Sequence, residues 1–100
     1  MEIEFTNFPQ NDEIDGLTYA ENYLIFLAFL VTGENVTISK NRIEEESPKV
    51  HVLVHDFPER KGKEPAEKLV FFIFDFLEKI GLRTGSDIFF VGFSGKSLYE

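Results

Sequence analysis

The chain has 100 residues, the size of one ordinary domain, and 43% of them are hydrophobic, including twelve Phe; this excludes an intrinsically disordered chain. Acidic residues outnumber basic ones by 18 to 10, which gives a formal net charge of −8. Such a field repels phosphate backbones and anionic lipids, so it disfavours nucleic acids and membranes as partners and favours basic protein surfaces.

The first predicted elements are a strand and a helix. Residues 2–8 alternate between polar and apolar side chains, which predicts a strand, and the turn-forming residues 9–16 predict a loop. Residues 17–32 fit a helix that Gly33 closes. We expect one stripe of this helix to be buried, formed by Leu17, Ala20, Leu24, Leu27, Ala28 and Val31.

A competing interpretation of this region is a β-hairpin. It joins residues 29–32 to residues 36–38 through the turn Gly33-Glu34-Asn35. In either case the alternation in residues 35–43 predicts a strand, and residues 44–48 predict a polar loop.

The second half of the chain predicts a strand, a helix and a last strand. Residues 50–55 alternate cleanly between Val and other side chains, and a basic loop with Pro and Gly follows at 57–65. Residues 65–80 predict a helix that begins at a Pro and ends before a Gly. Its expected buried stripe is Leu69, Val70, Ile73, Phe76, Leu77 and Ile80. Residues 87–94 predict a strand that is apolar on both faces.

The order strand, helix, strand, strand, helix, strand predicts an α+β fold of the ferredoxin-like type. In this βαββαβ two-layer sandwich, two helices cover one face of a four-stranded antiparallel sheet with strand order 4-1-3-2. The absence of a linker or repeat predicts a single domain over residues 1–100.

That architecture predicts a molecule with one acidic end. The first strand–helix loop and the central loop would lie at the same end of the sheet, and the basic loop with Arg60, Lys61 and Lys63 would lie at the other. Such a distribution of charge accelerates encounter with a basic surface. The acidic residues predicted to contact a partner are Asp12, Glu13, Asp15, Glu44, Glu45 and Glu46.

More apolar side chains are present than the predicted faces bury. Phe71 shares a helix side with charged residues, and Ile25 and Phe29 lie four residues apart among polar ones. The last strand is apolar on both sides, and an uncovered edge of that kind favours association. We therefore expect Phe71 to anchor a partner, and the last strand or a helix face to allow a homodimer.

Two histidines form an alternative candidate site. His51 and His55 project from the same side of one predicted strand, about 13 Å apart at roughly 3.3 Å per residue, too far to share a metal. Each faces the side on which a neighbouring strand presents Glu2 and Glu4. A His–Glu pair performs acid–base chemistry in some enzymes and is an ordinary cross-strand ion pair in many sheets.

Other signatures of chemistry are weak or missing. Residues 92–97 resemble the end of a phosphate-binding loop, but Phe90 replaces its first Gly and too few residues follow to form the required helix. The chain has no Cys, hence neither disulfide nor thiolate metal site. Its longest apolar run is nine residues, short of the roughly 20 of a membrane span. The N-terminus lacks the pattern of a signal peptide, so we expect a cytoplasmic protein. Because no motif for a cofactor or a metal is found, we expect neither.

Three functions follow as hypotheses. The first is a non-enzymatic, inhibitor-like module that docks a basic protein, by analogy of size and charge with toxin-immunity proteins, nuclease inhibitors and phage anti-defence proteins. The second is a small enzyme or small-molecule-binding domain that uses His51 and His55 on the open sheet face. The third is a structural homo-oligomer subunit. We expect a binding protein rather than an enzyme.

Overall fold

A computed structural model of the chain describes residues 1–9, 16–41 and 49–95. It is a small α+β structure with a four-stranded sheet and two helices, which confirms the predicted class and element order. The elements are β1 (Glu2–Thr6), α1 (Leu17–Thr32), β2 (Thr37–Asn41), β3 (Val50–Phe57), a 3₁₀ turn (Glu59–Lys61), α2 (Lys63–Lys79) and β4 (Ile88–Gly95).

The sheet differs from the ferredoxin-like prediction in strand order and in direction. Its order is β2-β1-β3-β4, and it is mixed rather than purely antiparallel. β1 is parallel to β2, β3 is parallel to β4, and the central pair of β1 and β3 is antiparallel.

The difference arises because each helix connects two strands that are neighbours in the sheet. In the predicted fold another strand lies between the two strands that a helix connects. Here β1-α1-β2 and β3-α2-β4 are two simple crossover units, joined through β1 and β3. Both arrangements have the same order of elements along the chain, so the order alone does not distinguish them.

The core lies between one face of the sheet and the two helices. Alternate residues of the central strands point into it, namely Ile3 and Phe5 from β1 and Val50, Val52 and Val54 from β3. Phe5 is fully buried, with its ring centroid 5.7 Å from that of Phe8 and 5.6 Å from that of Phe76. The helices contribute Leu24 and Ala28 of α1 and Leu69, Ile73, Phe76 and Leu77 of α2.

Residues 17–32 are helical throughout, so the hairpin alternative is wrong. Gly33 ends α1 with φ at 72°, a left-handed conformation that favours Gly, and its N–H donates to the carbonyl of Phe29 at 2.7 Å. Of the expected α1 stripe, Leu24 and Ala28 are buried and the other four residues are partly buried. Neither described helix has the length and apolar character needed to cross a membrane.

Candidate functional site

The six carboxylates predicted to form the acidic end lie outside the described residues. The chain on either side of their two segments, 10–15 and 42–48, is described. Asn7 lies shortly before the first segment and is bonded to residues on both sides of the second. The N–H of Asn7 donates to the carbonyl of Asn41 at 2.8 Å, before the second segment, and its Nδ2 donates to the carbonyl of Lys49 at 3.3 Å, after it. Phe8, which leads to the first segment, also donates to Asn41, at 3.4 Å. We call this end of the sheet, bounded by Pro9, Asn41 and Lys49, the acidic end.

The basic loop lies at the other end of the sheet. Glu2 of β1 is paired with His55, near the end of β3, so the chain leaves β3 at the end opposite to Asn7. Arg60, Lys61 and Lys63 follow there and are exposed. The Nζ of Lys61 lies 3.8 Å from the position that a Cβ atom on Gly33 would take, at the C-terminus of α1.

Phe71 is exposed on the outer side of α2, with 66% of its surface accessible. Its ring makes an edge-to-face contact with Phe72, at a centroid distance of 6.1 Å. Glu67, Asp75 and Glu78 lie four to seven residues away on the same side of the helix. Phe71 is therefore an exposed aromatic side chain on a helix side that also carries three carboxylates, two of them paired with Lys63 and Lys79.

The largest apolar surface of the described chain is on α1. Five large side chains face solvent with exposures from 45 to 80%. They form the surface that we call the α1 outer face: Tyr19, Tyr23, Phe26, Phe29 and Leu30. Asn22 and Thr18 are the only other exposed residues of the helix, so this side carries no charge. The single charged residue of α1, Glu21, points toward β2 and pairs with Lys40 at 2.6 Å.

Of these five residues, the sequence predicts only Phe29 to be exposed. Ile25, also predicted to be exposed, is partly buried and packs on the core. The missed signal is that α1 is apolar around its whole circumference, with one charge in sixteen residues. A helix of that composition requires cover on more than one side, and the core covers only one.

β4 is the second apolar surface. Phe89 and Val91 are about half exposed, whereas Ile88 is buried and Phe90 partly buried. Phe93 lies against Phe57 and Phe90, with ring centroids 4.9 Å and 5.4 Å away. Residues 92–95 are strand rather than the start of a helix, which agrees with rejecting a phosphate-binding loop.

His55 forms a hydrogen-bonded cluster on the sheet face opposite the helices. Its Nε2 lies 2.6 Å from Oε1 of Glu4 and 3.8 Å from Oε1 of Glu2, so it contacts the β1 carboxylates as expected. The Nδ2 of Asn41 donates to Oε2 of Glu4 at 2.8 Å. These hydrogen bonds, chiefly that from His55, hold the pKa of Glu4 below its ordinary value, although burial opposes them.

His51 has a different environment. It is paired with Thr6 of β1, and its ring packs on Phe89 of β4 at a centroid distance of 5.3 Å. The two histidines thus do not form one site. Within residues 1–9, 16–41 and 49–95, no three His, Asp or Glu side chains are grouped so that they could hold a metal ion.

Comparisons with known proteins do not assign a function, so a proposal for the function depends on the surfaces described above. No protein-family model matches the chain, and a search of curated proteins finds no match to it.

Proposed function

We propose that the protein is a non-enzymatic protein-binding module that docks a basic protein surface through its acidic end. Its mode of action would be inhibitor-like, as in the toxin-immunity, nuclease-inhibitor or phage anti-defence proteins that share its size and charge. The residues proposed to contact the partner are Asp12, Glu13, Asp15, Glu44, Glu45 and Glu46.

The observation that carries this proposal is that Asn7, shortly before one acidic segment, bonds to the described residues on both sides of the other. Segments 10–15 and 42–48 are far apart in sequence, yet Asn7 and Phe8, shortly before the first, are bonded to Asn41 and Lys49, which flank the second. Six of the chain's 18 acidic residues belong to these two segments. We propose that these carboxylates act together on an approaching cation, because the potentials of neighbouring charges add.

The opposite end of the molecule increases this asymmetry. Arg60, Lys61 and Lys63 are exposed there, about the full length of the central strands away from Asn7. A partner with a basic surface is attracted by one end and repelled by the other. The charges therefore orient the encounter as well as accelerate it.

Phe71 is the proposed apolar anchor. Charges give rate and orientation, whereas a few buried aromatic or Arg side chains give most of the affinity of a typical interface. Phe71 offers an exposed ring beside Glu67 and Glu78, and a cationic side chain of the partner finds both a ring face and carboxylates there.

The test is capture of a partner from native lysate by the tagged protein, at low and at high salt, followed by a binding titration with the partner identified. We expect tight, salt-sensitive binding, which a variant with all six proposed acids changed to Asn or Gln loses. The matched control removes six carboxylates that belong neither to these segments nor to the surroundings of Phe71, at Glu2, Glu34, Asp56, Glu59, Glu64 and Glu100.

The control distinguishes an effect of the position of the carboxylates from an effect of the net charge. Both variants change the formal charge equally, so general repulsion or attraction affects them equally. Binding that ignores salt, or that both variants lose to the same extent, contradicts the proposal.

A second candidate function is favoured by the cluster at His55. The contact of His55 with Glu4 is an arrangement capable of acid–base chemistry or of binding a small polar ligand on the sheet face. A screen of small molecules for an increase in melting temperature tests it. His51→Ala with His55→Ala should abolish any increase; an increase that the double variant retains rules out this site.

A further inference from the structure

The α1 outer face takes no part in the proposed docking through the acidic end. We propose that it is the interface of a two-fold homodimer, in which α1 packs antiparallel against α1 of a second copy. The inference concerns another surface than the proposed function, so each stands or fails alone.

The spacing of the exposed residues suits a two-fold interface. Tyr19, Tyr23, Phe26 and Leu30 are separated by four, three and four residues, so they lie on one side of the helix. This spacing is the same in either direction along the chain. Antiparallel packing about an axis between Tyr23 and Phe26 therefore sets Tyr19 against Leu30 of the second copy and Tyr23 against its Phe26, as the symmetry of a two-fold interface requires.

The area of the face lies at the lower end of what a stable dimer buries. Taking about 200 Å² for a fully exposed large side chain, the exposures of the five residues correspond to roughly 600 Å² on each copy. A stable interface of standard size buries about 800 Å² per partner. The partly buried Leu27 and the exposed Asn22, which border the face, supply further area.

The charges favour a second copy as the occupant. With a net charge of −8, two copies repel each other wherever their carboxylates meet, as they would on the outer side of α2. The five residues of the α1 outer face are uncharged, so the carboxylates of two copies do not oppose each other there, and Lys79 at its border is paired with Asp75. A strongly basic partner finds no carboxylate on this face to pair with its charges.

The border of the face is already arranged around an aromatic contact. The Nζ of Lys79, from α2, lies 4.8 Å above the ring centroid of Tyr23 and 2.9 Å from Asp75. These two contacts hold the half-exposed Lys79 at the edge of the face, with its ammonium group over the ring of Tyr23.

The edge of β4 is the less suitable surface for self-association. A register shift interrupts its pairing between Val52 and Leu53 of β3, opposite Val91, and Gly92 has φ at 146°. Such irregularities disturb the regular row of donors and acceptors on which pairing of a further strand depends.

Analytical ultracentrifugation across a wide range of concentrations tests the proposal. We expect the wild type to reach twice its monomer mass of 11.6 kDa. Tyr23→Glu with Phe26→Glu should remain monomeric. The matched control, Phe71→Glu with Phe89→Glu, adds the same charges at other exposed aromatic residues and should still dimerise. Circular dichroism establishes that each variant is folded, and Tyr19→Glu with Leu30→Glu replaces the first variant if that one unfolds.

A second pair of variants tests the antiparallel arrangement. In it, Tyr23 of each copy meets Phe26 of the other, so Tyr23→Glu with Phe26→Lys brings opposite charges together. We expect this variant to dimerise at least about tenfold more tightly than Tyr23→Glu with Phe26→Glu, a factor that corresponds to about 1.4 kcal/mol.

Three results overturn the proposal. The first is a wild-type protein that stays monomeric at millimolar concentration. This holds also if the protein binds neutral phosphatidylcholine vesicles, because the face would then serve a lipid surface instead of a second copy. The second is a control variant that dissociates as readily as the variant in α1. The third, which overturns the antiparallel arrangement, is equal dimerisation of the opposite-charge and like-charge variants.

Discussion

The Nε2 atom of His55 lies 2.6 Å from Oε1 of Glu4, and this contact joins the two central strands across the face opposite the helices. A carboxylate only accepts hydrogen bonds, so Nε2 is the ring nitrogen that carries the hydrogen. Asn41 holds the other oxygen of Glu4 from β2. Three strands are therefore linked by one ionised carboxylate.

This linkage predicts a pH-dependent contribution of Glu4 to stability. Because the pKa of Glu4 is lowered in the folded protein, the carboxylate stabilises the fold above its ordinary pKa of 4.5, and the contribution is lost as the pH falls through the lowered value. We expect Glu4→Gln to reduce the free energy of unfolding at neutral pH by about 1 kcal/mol. The difference from wild type should shrink in acid, as urea denaturation over a pH series measures.

The control for this prediction is Glu59→Gln, which removes the same charge from an exposed position in the 3₁₀ turn. It should change stability little at any pH. A difference between Glu4→Gln and wild type that stays constant into acid would mean that the ionised carboxylate is not the source.

We expect substitutions of Asn7, at the acidic end, to lower the free energy of unfolding by different amounts. It has a left-handed conformation, with φ at 66°, and its side chain donates to the carbonyl of Lys49. Asn7→Ala loses that bond and replaces Asn by a residue that tolerates the left-handed conformation less well, so we expect it to cost about 2 kcal/mol. Asn7→Gly loses only the side-chain bond and should cost about half as much.

Thermal and urea denaturation measure both Asn7 variants. Equal losses for Ala and Gly would show that the conformation of this residue is without energetic consequence. If the proposed partner is identified, Asn7→Gly should also weaken its binding, because Asn7 holds the chain beside both acidic segments.

The faces of the strands were predictable, and their arrangement was not. Alternation assigned Val50, Val52 and Val54 to the core and placed His55 on the side of Glu4, because successive strand residues point to opposite faces. The pairing of β1 with β2 and of β3 with β4 depends instead on contacts between distant segments. The same six elements fit both topologies, so local patterns do not decide between them.

The α1 outer face shows that the buried side of a helix cannot be predicted from the sequence when its other side is also apolar. The stripe of Leu24 and Ala28 is a valid prediction of the buried side, but it assumes that the rest of the helix is polar. Tyr23 and Phe26 lie on the opposite side and are also apolar, so periodicity alone does not tell which side faces the sheet. Only the position of α1 against the core and α2 settles which residues remain outside.

Leu24 and Leu30 provide a matched pair for this assignment of sides. Both lie in α1, but Leu24 is almost fully buried and Leu30 is 61% exposed. At concentrations low enough to keep the protein monomeric, we expect Leu24→Ala to cost about 2–5 kcal/mol and Leu30→Ala less than about 0.5 kcal/mol. Similar losses from both variants in urea denaturation would contradict the orientation of α1.

The same pair separates folding from association. Leu24→Ala should destabilise the monomer without altering the α1 outer face, so the folded fraction should keep its tendency to dimerise. Leu30→Ala should leave the monomer intact and weaken the dimer, because Leu30 meets Tyr19 of the second copy. Sedimentation of both variants beside wild type measures this difference.

We expect the stability of the protein to depend on the left-handed conformation of Gly33 at the end of α1. Its φ of 72° is costly for a residue with a Cβ, by about 1–2 kcal/mol, and its N–H closes the helix on the carbonyl of Phe29. Gly33→Ala should therefore destabilise the protein by that amount, and Gly33→Asn by less, because Asn tolerates the left-handed region. Gly85→Ala is the control: this exposed glycine has no left-handed φ, and a Cβ there meets nothing within 4 Å. If Gly33→Ala and Gly85→Ala proved equally harmless in thermal denaturation, the left-handed cap would not be what ends α1.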